Sequence, residues 1–242
     1  MINIVIPMAG LGSRFAQKGY EKPKPFIDVA GKPMIVRVLE NLSFKGARYI
    51  LLARKEHIEQ ESHLVSYIQD KFNATFITID HLTEGTACTI LHARKYVDNN
   101  TPLLIANSDQ IVDIDISNFI EDCHDRGLDG SILTFSDDSK NPKWSFAKTD
   151  STGLVLEVRE KVAISNLATV GIYMYSQGKM FVDSAIDMIV RNDRVNNEFY
   201  TCPAYNYAVK NGLKIGVYNI EIEQMHGIGT PEDLDIFINN LN

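Results

Sequence analysis

The chain predicts an α/β protein of three layers, α/β/α, with a Rossmann-like, mixed and mostly parallel sheet between the helices. Three observations carry this. Apolar segments rich in β-branched residues alternate with amphipathic segments through the first half. A glycine-rich turn follows the first apolar segment at once. The 242 residues are 45% hydrophobic and 23% charged, an ordinary balance for one folded domain with a sizeable core.

The first strand is expected near 2–7, a short apolar run ending in a turn. Strands follow near 48–53, 74–79 and 102–107, separated by helical patterns near 33–43, 55–71, 85–97 and 116–126. Strand and helix in strict alternation build a parallel sheet. From 131 onward the pattern changes to shorter strands, 131–135, 144–149 and 154–158, between turns rich in Asp, Ser, Gly and Asn. A further apolar strand spans 168–175, helices follow near 178–190 and 199–211, and a strand near 213–220 precedes a closing helix. That helix starts at Pro231 with Thr230 as its N-cap. No repeat, low-complexity tract or linker interrupts the chain, so 1–242 reads as a single domain.

Composition excludes several classes. A net charge of −7 argues against a nucleic-acid binder, which needs a basic face. No uninterrupted apolar span approaches the roughly 20 residues of a membrane helix, and the start reads as a strand without a basic leader or cleavage site, so a cytoplasmic protein is expected. Cys88, Cys123 and Cys202 are far apart and form no Cys-x-x-Cys pair, which points to neither a disulfide framework nor a zinc site. The histidines are scattered, and only His226 falls beside a motif.

The most informative stretch is Met8-Ala9-Gly10-Leu11-Gly12-Ser13-Arg14-Phe15, together with Lys24 shortly downstream. Gly10 and Gly12 let the backbone turn tightly with its N–H groups outward, and such groups hold anionic oxygens. Arg14 adds a planar fork for bridging phosphates and Lys24 a point charge on a flexible stem, which together suit a triphosphate. A dinucleotide fingerprint would need glycine where Phe15 stands, and a P-loop would need Ser or Thr where Pro33 follows Gly31-Lys32. In an open α/β sheet the ligand lies beyond the carboxyl ends of the strands. The glycine turn, the segment Asn107-Ser108-Asp109-Gln110 and the helix opening at Gly85-Thr86 should therefore share one cleft.

Residues 9–34, with Gly-x-Gly-Ser-Arg-Phe, then Pro23-Lys24-Pro25, then Gly31-Lys32-Pro33-Met34, resemble the signature of the sugar-phosphate nucleotidyltransferases, also called nucleotide-sugar pyrophosphorylases. The resemblance implies transfer of a nucleotidyl group from a nucleoside triphosphate to a small phosphomonoester, with release of pyrophosphate and with Mg2+ as cofactor. A sugar 1-phosphate is the expected acceptor, and surface polysaccharide the expected destination of the product. Residues 1–127 would form the nucleotide-binding half and 128–242 the acceptor-binding half. Arg14 would hold the β and γ phosphates and Lys24 the α-phosphate, while Met8, Ala9, Gly10, Gly12, Ser13, Gly85, Thr86 and Asn107 would surround the nucleotide. Asp109, a carboxylate at a strand end, would hold the metal; its plainer role is to cap a helix or end a strand. Glu160 and Lys161 resemble the family's Glu-Lys element for acceptor hydroxyls and phosphate, but also suit a surface salt bridge. Gly171 could admit the acceptor closely, and Glu198 lies in a polar stretch whose Asn197 could equally cap a helix.

Two positions depart from the pattern. Thr86 stands where many relatives carry glutamine, which leaves the base open, a pyrimidine being favoured. Gly227 stands where the family places a second metal-binding aspartate, so His226 or Glu223 must be weighed as substitutes, the preference of magnesium for oxygen favouring Glu223 or water. Two other functions compete. One is a cytidylyltransferase acting on a non-sugar phosphate such as phosphocholine, glycerol phosphate or a phosphorylated amino acid. The other is a glycosyltransferase using Asp113-Ile114-Asp115 as a metal motif, which would leave Arg14 and Lys24 without a task; Asp113 and Asp115 otherwise read as solvated strand-edge residues. A regulatory relative that only binds nucleotide is a third option, and self-association into a homo-oligomer is compatible with the sequence.

Overall fold

Alternate residues of the first apolar run face opposite ways, Ile2, Ile4 and Ile6 into one core and Val5 into another. A strand buried on both faces belongs inside a sheet covered on both sides, and β1 (Ile2–Pro7) lies between two parallel neighbours. The computed structural model describes residues 1–241 and arranges them around one nine-stranded sheet.

After β1 come α1 (Ser13–Gln17), a short hairpin of β2 (Asp28–Val29) and β3 (Lys32–Pro33), and α2 (Met34–Asn41), which buries Met34, Ile35, Val38 and Leu39. β4 (Ala47–Arg54) pairs parallel with β1, and α3 (Lys55–Gln60) and α4 (Ser62–Phe72) lead to β5 (Thr75–Ile79), parallel to β4. α5 (Thr86–Leu91) and α6 (Arg94–Val97) lead to β6 (Leu103–Ala106), parallel to β1 on its other side. β7 (Gln110–Val112) and α7 (Ile116–Asp125) follow. Then come β8 (Gly130–Ser136), β9 (Ser145–Thr149), β10 (Val155–Glu160) and the long β11 (Leu167–Tyr175). α8 (Gly178–Val190), α9 (Ala204–Lys210), β12 (Ile215–Ile220), β13 (Met225–Gly227) and α10 (Pro231–Asn240) complete the chain.

The sheet runs β10-β9-β11-β6-β1-β4-β5, with β8 pairing β11 and β12. β11 is antiparallel to β6, β8 and β9, so it joins the parallel first half to the second half within one sheet. α2, α4, α7 and α10 pack on one face and α5, α8 and α9 on the other, which makes the three layers. β13 folds back antiparallel to β7 and draws the last loop toward the end of β6. No helix among the described residues is long and apolar enough to cross a membrane.

Three expected helices take a different form. The segment 55–71 breaks at Glu61, because α3 buries nothing whereas α4 docks Val65 and Ile68. The segment 85–97 breaks after Leu91, where His92 N and Ala93 N donate to Thr89 and Ile90 carbonyls three residues back and tighten the chain. The helix expected from 199 starts at Ala204, since Phe199 and Thr201 are bonded to residues 84–87 instead: Phe199 N donates to Glu84 O at 2.7 Å, Ala87 N to Phe199 O at 2.9 Å, and Thr201 N to Thr86 Oγ1 at 3.1 Å.

Candidate active site

The carboxyl ends of β1 and β6 lie side by side, and the loops that follow them form one wall of a cleft of about 600 Å³. Gly12 adopts φ +61°, and a Cβ there would stand 3.0 Å from the Cβ of Lys24; the glycine is what lets Lys24 fold against the turn. Lys24 sits on a one-turn helix anchored by the fully buried Phe26, and its Nζ donates to Asp109, which follows β6. Both side chains are about one-fifth exposed, at 20% and 21%. Asp109 caps no helix. Its carbonyl accepts from Ile228 N at 2.9 Å, which ties the loop after β13 to the end of β6. Arg14 is exposed on this wall and makes no hydrogen bond or ion pair among the described residues, so its charge is available to a ligand.

The opposite wall comes from β9, β10, β11 and the segment before α9. Glu160 ends β10 at 8% exposure and accepts from Ser145 Oγ. Burial pushes its carboxyl above the usual range, against the opposing pull of Ser145 and Lys161. Lys161 next to it adopts φ +58°, a left-handed backbone that a lysine rarely takes. Its Nζ donates to Tyr200 Oη at 2.9 Å and lies 4.8 Å from that ring's centre, and the Tyr200 bond raises its pKa. Glu160 and Lys161 form no ion pair with each other among the described residues, so the surface salt-bridge reading does not describe them.

Gly171 also lines the cleft, but its missing side chain makes room for Asn107: a Cβ at its φ of +93° would stand 2.2 Å from Asn107 Nδ2. The same glycine's carbonyl accepts from Asn107 N at 3.0 Å, locking β6 to β11 where the pairing of β11 with β8 shifts register.

Of the residues singled out from the sequence, Met8, Gly10, Gly12, Ser13, Arg14, Lys24, Thr86, Asn107, Asp109, Glu160, Lys161 and Gly171 line this cleft. Ala9, Gly85 and Glu198 are not among its lining residues. Ala9 is buried in the core beneath the turn, Gly85 packs against the backbone of Phe199, and Glu198 is exposed on a tight turn where it pairs with Val195. Neither substitute for the second metal ligand reaches the cleft. His226 Nε2 pairs with Asp113 Oδ2 at 2.7 Å, and Glu223 is exposed on a short turn. Asp115 is no strand-edge residue but the N-cap of α7, accepting from Ser117 N at 2.9 Å.

Sequence reasoning missed Trp144, Ser145, Tyr200, Cys202, Thr230 and Asp233 as lining residues. Only the polar density around Asn196 to Tyr200 hinted at any of them. Among the described residues, no three His, Cys, Asp or Glu side chains converge as a ready-made metal cluster.

The nucleotidyl transferase family model matches residues 4–215. Among curated proteins, a probable mannose-1-phosphate guanylyltransferase from rice (Oryza sativa subsp. japonica) is 30% identical over 176 residues, covering 70% of this chain and 48% of its own length. The chain thus spans about half the length of that guanylyltransferase. A UTP-glucose-1-phosphate uridylyltransferase from Haloferax volcanii is 24% identical over 238 residues, with 96% of this chain and 93% of the relative covered. Among solved structures, a nucleoside-diphosphate-sugar pyrophosphorylase from Vibrio cholerae shares the fold, with a TM-score of 0.82, 24% identity and coverage of 98% of this chain and 99% of that one. With the family model matched along most of its length, this chain belongs to the nucleotidyl transferase family.

Proposed function

We propose that the cleft joins a nucleoside triphosphate to a sugar 1-phosphate, giving a nucleotide-activated sugar and pyrophosphate. One observation carries this reading. Arg14 and Lys24 from the first half meet Lys161 and the buried Glu160 from the second half across one cleft. In this reading residues 1–127 serve mainly the nucleotide and 128–242 mainly the acceptor. The rice and Haloferax relatives are both named for transfer to a sugar 1-phosphate, which supports this choice of acceptor.

An acceptor phosphate oxygen attacks the α-phosphorus; a P–O bond forms there and the bond to the leaving pyrophosphate oxygen breaks. A phosphomonoester with a second pKa of about 6 is largely dianionic at neutral pH, so no general base is required. Among the described residues, no histidine lines the cleft, in keeping with such chemistry. The protein must instead align two anions and stabilise the charge that develops between them. In this reading Arg14 holds the β and γ phosphates, and Lys24, poised by Asp109, meets the α-phosphate. Lys161, steadied by Tyr200, takes the acceptor's phosphate, and Glu160 takes its hydroxyls.

A hard divalent cation takes oxygen donors. Asp109 offers its Oδ1, since Lys24 meets Oδ2, and beside it the amide oxygen Oε1 of Gln110 is buried without a hydrogen-bond partner, so the residues fit magnesium. When bound, the ion would offset charge on the triphosphate and its leaving group. A glycosyltransferase reading loses support, because Asp113 and Asp115 are engaged by His226 and the start of α7 and do not line the cleft. We favour a pyrimidine nucleotide and a cytoplasmic setting, with the product feeding surface polysaccharide. Pyrophosphate release from each of four nucleoside triphosphates against sugar and non-sugar phosphates tests the whole. Release with a sugar 1-phosphate is expected. Release only with a non-sugar phosphate would transfer the protein to the cytidylyltransferase alternative, and none with any pair would sink the proposal.

A further inference from the structure

The loop that lacks the family's second aspartate holds another carboxylate close by. β13 pairs with β7 so that Gly227 lies opposite Gln110, the residue next to Asp109. The loop is packed directly on that aspartate: a Cβ at Gly229 would stand 2.6 Å from Asp109 Oδ2. Gly227 itself has room for a side chain. A Cβ there would meet only Gln110 Oε1 at 3.9 Å and Asp233 Oδ2 at 4.0 Å. The notch that an aspartate side chain would enter is thus bordered by two oxygens already.

Gln110 Oε1 and one oxygen of Asp233 are left for a cation. Gln110 Oε1 is buried with no hydrogen-bond partner, and an isolated buried oxygen is costly unless a donor or cation meets it. Asp233, in the first turn of α10, lines the cleft, and its Oδ2 accepts from Thr230 Oγ1 at 2.8 Å, while Oδ1 has no partner among the described residues. The start of α10 does not need that carboxylate, because Thr230 is the N-cap and its hydroxyl oxygen accepts from Asp233 N at 3.1 Å.

We propose that Asp233, with Gln110 beside it, supplies the oxygen donors this chain lacks at residue 227, so that a divalent cation is held between Asp109 and Asp233. The assignment rests on the nucleotidyl-transfer reading above. Magnesium commonly takes one or two carboxylates and completes its shell with water and substrate phosphates.

The test is Mn2+ binding, followed by electron paramagnetic resonance with a non-reactive triphosphate analogue present, in parent, Asp109→Asn, Asp233→Asn and Asp233→Asn/Gly227→Asp proteins. Asparagine keeps the oxygen that Thr230 bonds, so the start of α10 is preserved, and a thermal melt confirms folding. Asp233→Asn should weaken Mn2+ by at least about tenfold, and adding Gly227→Asp should restore most of that loss. Unchanged Mn2+ affinity in Asp233→Asn beside a large loss in Asp109→Asn would overturn the assignment while leaving nucleotidyl transfer intact. Unchanged affinity in both single variants would overturn the metal reading itself. A weakened Asp233→Asn that Gly227→Asp fails to rescue would also refute the shared notch.

Discussion

On the wall proposed to hold the nucleotide, Arg14 projects from α1 and Lys24 from a one-turn helix, both partly in water and anchored by short local structure. On the acceptor wall, Glu160 is buried at the end of an antiparallel strand and Lys161 next to it is held in a left-handed backbone. A triphosphate carries enough charge for long cations and main-chain N–H groups to grip it from partial solvent. Choosing one small phosphate among many demands groups that are left unpaired when the wrong acceptor enters, and these discriminate only when desolvated. In the proposed reading, the burial of Glu160 and the strain at Lys161 fall on the wall that selects the acceptor, where such costs are tolerated for function.

The contrast can be broken first on the nucleotide wall. Lys24→Ala should lower kcat by about a hundredfold or more for every acceptor alike, with triphosphate binding largely kept, because its charge matters most at the five-coordinate α-phosphorus. Arg14→Ala should weaken both triphosphate binding and rate. Steady-state pyrophosphate release with several acceptors measures both, and a Lys24→Ala defect that varied with acceptor would show that the walls are not separate.

On the acceptor wall, Lys161→Ala should raise the acceptor KM about tenfold with the triphosphate KM unchanged, the mark of lost uniform binding. Lys161→Gly should lose the same affinity yet unfold at higher denaturant than the alanine variant, by about 1 kcal/mol, since glycine takes φ +58° without strain. Equal stability of the two variants would remove strain from the account of this wall.

Glu160→Gln sharpens the role of burial. The carboxyl's pKa is raised above its usual 4.5, so the penalty for charging it is absent below 4.5 and grows as pH climbs through its folded value. Thermal melts should show Glu160→Gln more stable than the parent at pH 7 and losing that advantage at pH 4, while the acceptor KM rises. An advantage that stayed constant with pH would mean the buried group is not the source. The smallest effect belongs to the seam between the walls. Arg194 Nη2 meets Glu84 Oε2 at 2.7 Å with the Glu84 side chain 64% exposed, so Glu84→Ala should cost no more than about 1 kcal/mol, and less in high salt.

What the sequence by itself determined is concentrated in stretches where neighbours in the chain are neighbours in space. The strand–glycine turn–cation order of residues 2–26 is legible because a buried strand, a tight turn and the reach of two long side chains are local properties. The placement of Asn107 and Asp109 followed from the one non-local rule that parallel strands present ligands at their carboxyl ends. Tertiary structure decided the rest. Lys24 meets Asp109 across 85 residues of chain, Gly171 serves Asn107 because β11 inserts beside β6, and Phe199 and Thr201 forgo a helix to bond residues 84–87. Asp233 reads as an ordinary acidic residue in a first helical turn until β13 pairs with β7 and carries that turn to the cleft. Periodicity and turn chemistry are encoded within a few residues, whereas the meeting of side chains from distant segments depends on strand order and register, which are set only when the whole sheet closes its two cores.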